Sequence, residues 1–475
     1  MSVVLLANVG LRDVLSEGKP IDPARTEGER LLGEFEASWR DLSTPMLSAV
    51  VDHLLKRHGK IQVVVYGTDQ PEGTPPLNRG RDTIHVAHLA VRLLERRYGK
   101  GRIEMTWVRP IRSNPSRYDD MISFFSSELP ASVQPSHWTA KVETCYAFPV
   151  GGTHACNMGL MLAALDRFGE ACHTLYLQEG ESRVASMDVG EQMRRGTARK
   201  LAANRLSDQS FGAAVPLLLE ARAPEWVTDL VLYARHRYHF DFEAAVEALA
   251  RAIEGCAAEW SIRSRLRQLH QSLGPLRDHD TATVLCELYH NAAMTYRRGE
   301  YAAFLGLVFR IQEEALARIV EEVYPWLPGI REGVAGAAKF AAALRSRSEL
   351  WTYLQHQKVA GRELMLDEPN TEVLAALARS SWDGPEAEPG PERRERFQAA
   401  YDILYGKLGA LKQLRNKCII AHGFAGVSES SLRDRYGEAD PIHDMATALE
   451  DLGIQLGEDP FEVASRLALE GLETQ

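Results

Sequence analysis

Arg415, Asn416 and His422 are three residue types that can together break a phosphodiester. Such a reaction needs a base or orienting group at the ribose 2′-hydroxyl and an acid at the leaving 5′-oxygen. It also needs a cation to steady charge on the phosphoryl oxygens. Histidine suits the proton transfers, arginine the phosphate, and asparagine the holding of either. All three lie in "LRNKCIIAHG", residues 414 to 423. Read as one helix, the stretch puts Arg415 and His422 on one face, about 10 Å apart along the axis, with Asn416 about 100° round from Arg415. Cys418, Ile419 and Ala421 would pack inward, and Gly423 would cap the end. Arginine and histidine also collect at helix ends for dipole reasons, so the pattern alone leaves both readings open. One helix supplies each group once. Two copies facing across a two-fold axis would supply two histidines and two arginines to one cleft.

A second set of residues sits where strands end. "ANVGLRD" carries Asn8, Gly10, Arg12 and Asp13; "YGTDQ" carries Gly67, Thr68, Asp69 and Gln70; "VGGTHACN" carries Gly151, Gly152, Thr153, His154 and Asn157. In an open α/β sheet, ligands bind at the carboxyl ends of the strands where the order reverses. Two glycines let backbone approach a ligand closely, and the helix that follows aims free N–H groups at the same place, which suits an anionic phosphate. Thr153 can cap that helix or bind the ligand, and Asn157, one turn on, can reach a base edge. A tight strand-to-helix turn with a cap accounts for Gly-Gly-Thr equally well. A dinucleotide site is rejected, because it wants GxGxxG after the first strand and "NVGLRD" has one glycine.

These residues need elements to hold them. The first ~190 residues alternate strand-like runs ("SVVLLANVG", "KIQVVVYGTDQ", "GRIEMTWV", "AKVETCYAFPV", "HTLYLQEG") with helix-like ones. The latter include a stretch around residues 27 to 58 and "RDTIHVAHLAVRLLERRYG", where Ile84, Ala87, Val91 and Leu94 recur at helical spacing and Gly99 stops the helix. Continuous apolar strands with intervening helices predict an α/β domain built on a Rossmann-like open parallel sheet covered on both faces. From about residue 190 strand signals fade, and the remainder reads as an all-α region ending in a bundle. We place the divisions at 1–190, 191–280 and 281–475. "SSWDGPEAEPGPERRER", residues 380 to 396, reads as an exposed loop within the bundle.

Composition narrows the function classes. A chain of 475 residues exceeds one core. No apolar run approaches the ~20 residues of a membrane span, and "MSVVLLANVGLRD" reads as a buried strand rather than a signal peptide. A cytoplasmic protein is expected. The six cysteines (Cys145, Cys156, Cys172, Cys256, Cys286, Cys418) form no CxxC pair, so reduced thiols are expected rather than disulfides or a thiolate zinc site. A net charge of −10 argues against stable coating of DNA or RNA by bulk electrostatics but permits a local basic cleft. "HVAH" (His85, His88) and "RHRYH" (His236, His239) lack a placed third ligand, and "RDHDT" (His279, Asp280) lacks the further His and Asp of a metal phosphohydrolase. No metal and no cofactor are expected. "QMRRGTARKLAANR" is a basic patch that could help hold RNA or simply form a solvated helix face.

Taken together, the motifs resemble those of the CARF–HEPN ribonucleases, ancillary effectors of type III CRISPR systems, and in particular the Csm-type branch. The resemblance covers nearly the whole chain. "LLANVGLRD", "VVVYGTDQ" and "GGTHACNMGL" are similar to the family's strand-end motifs, the last to its Gly-Thr-x-x-x-Asn/Met signature. "RNKCIIAH" matches Arg-x(4–6)-His with the Asn directly after the Arg, and "RRGEYAAFLGLVFRIQEEAL", residues 297 to 316, is similar to an early bundle helix. The resemblance implies a homodimer whose CARF half binds a cyclic oligoadenylate across the interface. That binding would activate a composite HEPN site that cleaves single-stranded RNA without metal. By position, Arg415, Asn416 and His422 match the catalytic residues. Thr153, Asn157 and the loops after the first two strands match ligand-contacting positions. His154 departs from the pattern, where a small or apolar residue such as Pro is expected, a position bearing on ligand size and on slow cleavage of the activator by the CARF half. Two other readings stand beside it: a non-enzymatic nucleotide-sensing regulator and a HEPN toxin needing no activator. The acidic amphipathic tail "DPFEVASRLALEGLETQ" speaks against a DNA-reading regulator, and the large N-terminal domain against the toxin.

Overall fold

A computed structural model describes residues 2–132, 142–177, 183–256, 260–359, 362–385 and 390–473. Of the segments read from sequence, residues 140–141, 178–180, 257–259, 386–389 and 474–475 lie outside the described residues. The chain divides into two compact units, Met1–Gly196 and Thr197–Gln475.

The first unit is the expected α/β domain. Among the described residues its main sheet holds six strands: β1 (Ser2–Asn8), β2 (Ile61–Thr68), β3 (Ile103–Ile111), β4 (Val142–Phe148), β5 (Cys172–Leu177) and β6 (Val184–Met187). Their order is β3-β2-β1-β4-β5-β6, parallel throughout except for the antiparallel β5–β6 pair. The continuous apolar runs resolve into a strict alternation between two cores. Val3, Leu5, Ala7, Val63 and Val65 pack on one face, and Val4, Leu6, Val64 and Tyr66 on the other. That is the period of two a strand imposes, with both faces covered. Helices Pro45–His58 and Ile84–Tyr98 supply the first face, and His154–Phe168 the second. Each buried Leu or Val contributes about 1.5–3 kcal/mol relative to exposure.

The stretch around residues 27 to 58 is more broken than its sequence suggested. Helix Ala24–Gly33 is followed by a short helix, a turn and strand Leu42–Ser43 before Pro45 starts the next helix. Proline disfavours helical geometry in the residue before it, so Thr44 cannot carry the helix through.

Among the described residues, the regular structure of the second unit is helical apart from the two-residue strands Lys358–Val359 and Arg362–Glu363. One core gathers helices Phe211–Glu220, Glu225–Tyr238 and Phe242–Gly255 with the last helix, Pro460–Glu473. There Gly471 meets the Trp226 ring so closely that a Cβ would fall 2.5 Å from it. The other core surrounds the long helix Tyr301–Val323 and includes Thr281–Arg297, Thr371–Asp383 and Pro441–Asp451. The exposed loop expected at residues 380 to 396 is narrower than the reading, because helices Thr371–Asp383 and Pro391–Tyr401 take both of its ends. Among the described residues, no helix is long and apolar enough to cross a membrane.

Candidate functional site

In the first unit β2 and β4 flank β1 on opposite sides, so the strand order reverses between β1 and β4. Crevices form at such a switch point because the loops leave in opposite directions. Here the two loops press backbone to backbone. A Cβ on Gly10 would lie 2.5 Å from the Gly152 nitrogen, and one on Gly151 would lie 2.2 Å from the Asn8 carbonyl oxygen. Gly152 has φ +81°, a conformation that favours glycine. Above this junction opens a cleft of about 550 Å³.

Gly10, Arg12, Asp13, Thr68, Gln70, Gly151, Gly152 and Thr153 line the cleft, as their sequence positions suggested. The other expected residues stand behind it or beside it. The Asn8 amide donates to the Asn157 Oδ1 at 3.0 Å, tying β1 to the helix after β4, and neither lines the cleft. Gly67 lets helix Ile84–Tyr98 approach the sheet, since a Cβ there would be 2.9 Å from the Ile84 Cα. Asp69 accepts from Arg25 at 3.0 Å, and the same guanidinium reaches Asp82 at 2.9 Å. His154 is exposed and outside the cleft lining. Of the two roles open to Thr153, the cap is filled. Its hydroxyl accepts from the Cys156 N–H at 3.2 Å and donates to the Pro115 carbonyl.

Sequence reasoning left out the polar residues Asn78, Arg81, Thr83, Asn114 and Ser116, which also line the cleft. The Asn-Pro-Ser turn after β3 was a legible signal, because every parallel strand delivers its carboxyl end to the same rim. Thr83 is tied in from both sides. Its hydroxyl donates to the Val9 carbonyl at 2.8 Å, and its N–H donates to the Thr68 hydroxyl at 2.9 Å. The cleft thus combines exposed Arg12 and Arg81 with amides and hydroxyls, which suits an anionic ligand carrying bases.

In the cleft wall Asp13 is almost fully buried, with Oδ2 accepting from the Gly10 N–H at 2.6 Å and Oδ1 unpartnered. Burial pushes its carboxyl up to about 7, against the smaller opposing pull of the Gly10 bond. Between about pH 4 and 7 the folded chain therefore holds a proton that the unfolded chain releases. Its contribution to stability falls as pH rises through that window, by an amount on the order of 4 kcal/mol, and stays constant above it. Asp13→Asn keeps an acceptor for Gly10 and removes the ionisation. Hydrogen exchange of the β1 amides, corrected for intrinsic rates, should show the variant gaining protection over wild type as pH goes from 5 to 8. Equal pH dependence in the two proteins would contradict this account.

In the second unit the stretch around Arg415 is not one helix. Helix Pro391–Tyr401 passes through a π-helical segment (Asp402–Lys407) and a tight turn (Leu408–Leu411) into Lys412–Lys417. A π segment frees a carbonyl from its regular partner, and the buried Gln312 amide donates to that of Leu404. At Cys418 the backbone turns extended (ψ 169°), and its thiol donates to the Arg415 carbonyl at 3.1 Å. The two-turn spacing of Arg415 and His422 on one helical face is therefore corrected. Arg415 and Asn416 lie in the last helical turn, and His422 lies in the loop beyond it.

That loop is tightly bonded. The N–H groups of Ala421 and Gly423 donate to the Cys418 carbonyl at 3.1 and 3.2 Å, and the Ala425 N–H returns to the Lys417 carbonyl at 2.8 Å. Gly423 is not the helix cap. It is pressed on Lys417, whose carbonyl oxygen would be 2.1 Å from a Cβ. The loop and the helix end rest on the long helix Tyr301–Val323. Ile420 packs on Gly306, and the Arg415 guanidinium lies 4.9 Å from the Phe309 ring centroid. Gly306 and Phe309 are three residues apart and so share a face. Stacking holds the guanidinium while its buried Nε has no hydrogen-bond partner. Asn416 and His422 are both exposed. Arg415, Asn416 and His422 are thus carried by one bonded segment, with a charged head, an amide and an imidazole available to a ligand.

The remaining motifs have structural roles. Asp280 caps helix Thr281–Arg297 by accepting from the Thr283 N–H at 2.9 Å and its hydroxyl at 2.6 Å. In the basic patch, Arg194 donates to the Gly169 carbonyl at 2.8 Å and Arg195 pairs with Glu191. No three His, Cys, Asp or Glu side chains converge among the described residues. All six cysteines are unpaired.

No protein-family model and no curated protein sequence matches the chain. Among solved structures, Csm6 from Enterococcus italicus bound to cyclic hexa-2′-fluoro-hexa-dAMP aligns over 100% of both chains, with a TM-score of 0.53 and 13% sequence identity. At that identity the likeness is one of fold, an α/β domain followed by a helical region.

Proposed function

We propose that this chain is a CARF–HEPN effector of type III CRISPR defence, a cytoplasmic single-stranded RNA endoribonuclease switched on by a cyclic oligoadenylate. Residues 1–190 would bind the activator, 191–280 would connect, and 281–475 would carry the nuclease. One observation carries the reading: a single chain joins a glycine-pressed, arginine-bearing crevice at a sheet switch point to a helical bundle presenting Arg415, Asn416 and His422 on one bonded segment. The full-length alignment with a Csm6 bound to a cyclic hexanucleotide supports the same pairing of parts.

In this reading the ribose 2′-hydroxyl attacks the adjacent phosphorus and the bond to the 5′-oxygen breaks, leaving a 2′,3′-cyclic phosphate. His422 moves a proton, Arg415 meets the charge on the phosphoryl oxygens, and Asn416 orients. One copy offers one imidazole for two proton transfers, so a homodimer is the natural active form. Ile419, 74% exposed on the same loop, is surface a second copy would cover. A two-fold symmetric ring fits a two-fold interface. It would activate only by binding the active arrangement better than the resting one.

The test is cleavage of labelled single-stranded RNA by the full chain in EDTA, with cyclic tetra- and hexaadenylate. Cleavage should need a ring and no metal, and products should end in a cyclic phosphate. Silence with every ring, or a magnesium requirement with 5′-phosphate products, would reject the proposal.

A further inference from the structure

Phe424 is 94% exposed and lies two residues beyond His422. A single exposed apolar residue is ordinary on a protein surface, so its setting has to supply the argument. Its neighbours hold the backbone on both sides: Gly423 is pressed against Lys417, and the Ala425 N–H is bonded to the Lys417 carbonyl at 2.8 Å. The ring is thus presented on a fixed turn. Residues 412 to 428 contain Lys412, Arg415 and Lys417 and not one Asp or Glu, in a chain whose net charge is −10. Lys412 is paired with Glu372 at 2.8 Å. Arg415 and Lys417 remain, on the helix end against which the turn bearing the ring is folded.

An aromatic face among cations is how proteins hold single-stranded nucleic acid. The cations track the backbone and the ring stacks on a base, whatever its identity. We propose that Phe424 is a base-stacking platform that seats a nucleotide next to the scissile phosphate, fixing the RNA strand relative to His422. The inference rests on the nuclease reading of the Arg415–His422 segment. A contact between two copies of the chain is the competing use of the ring. The run from residue 412 to 428 carries cations and no acid to balance them, a composition that favours a polyanion such as RNA.

Two arms test it, using the full chain in EDTA with cyclic hexaadenylate. The first is binding of a 2′-O-methyl oligoribonucleotide, which cannot be cut, followed by fluorescence anisotropy. Phe424→Ala should weaken binding roughly 5- to 150-fold, and Phe424→Trp should restore it. The second is cleavage kinetics, where Phe424→Ala should raise KM for RNA by a similar factor. An abasic site beside the cut should reproduce the loss and make the substitution silent. Light scattering should give the same mass for all variants. Unchanged binding in Phe424→Ala, or a change in mass, would overturn the proposal. Loss of binding in Phe424→Ala from a wild type that binds RNA but never cuts it would leave the platform standing and reject the nuclease.

Discussion

His422→Ala is expected to cleave single-stranded RNA at least ~10²-fold more slowly than wild type, the lower end of what a positioned proton-transfer group contributes. The size of the loss follows from the scarcity of groups. Residues 415 to 422 hold one imidazole, and in a homodimer the substitution removes both copies, so no imidazole of this segment is left to take over. The loss should fall on kcat, with KM for RNA and the activator concentration for half-maximal rate nearly unchanged, because proton transfer is felt in the transition state and not on binding. Arg415→Lys should be milder but not neutral. The lysine keeps the charge yet cannot stack flat on Phe309, which now lies 4.9 Å from the guanidinium, or present two parallel donors to a phosphate. Single-turnover cleavage at saturating cyclic hexaadenylate measures both. A His422→Ala protein within twofold of wild type would remove this segment from the chemistry.

The loop that bears His422 shows what can be read from residue order and what cannot. The residue types were legible, because Arg, Asn and His near one another raise the same chemical question whatever the backbone does. Geometry was not. The helical reading of residues 414 to 423 rested on local periodicity, and the break at Cys418 comes from elsewhere. Ile420 is drawn onto Gly306, more than a hundred residues earlier, and Gly423 fits only because it can lie against Lys417. The crevice repeats the point. The glycines at 10, 151 and 152 announced close approach, but that they approach one another depends on β4 inserting beside β1, a choice of topology that no local pattern encodes. Asn8 and Asn157 look like ligand contacts in the sequence. They spend their side chains on each other across 149 residues.

Glu287→Ala should be the most damaging single change to stability in the helical unit, lowering its melting transition by about 10 °C. The carboxylate is 1% exposed and receives the Arg237 Nε at 3.0 Å and Nη2 at 2.7 Å. Nη1 of the same guanidinium donates to the Tyr233 hydroxyl at 2.6 Å and the Ser272 hydroxyl at 3.0 Å. Removing the glutamate leaves a buried cation with two neutral partners, a loss of about 3–5 kcal/mol. A cavity of about 530 Å³ lined by both residues gives water a route to the exposed charge, which argues for the lower half of that range. Attraction alone would predict that every disruption costs the same. Desolvation predicts otherwise: Arg237→Met combined with Glu287→Leu should melt close to wild type, because neither charge is then stranded. The pair also joins the two cores of the unit. Arg237 belongs to helix Glu225–Tyr238 of the first. Glu287 sits on helix Thr281–Arg297, whose Leu285 and Leu288 pack in the second and whose Met294 packs in the first. The double variant therefore separates two roles of one contact. Normal melting with cleavage that still answers the cyclic ring would make the ion pair a structural weld. Normal melting with cleavage no longer responsive would show that signal from the activator crosses the seam through these two charges. Equal melting losses in single and double variants would refute the desolvation argument itself.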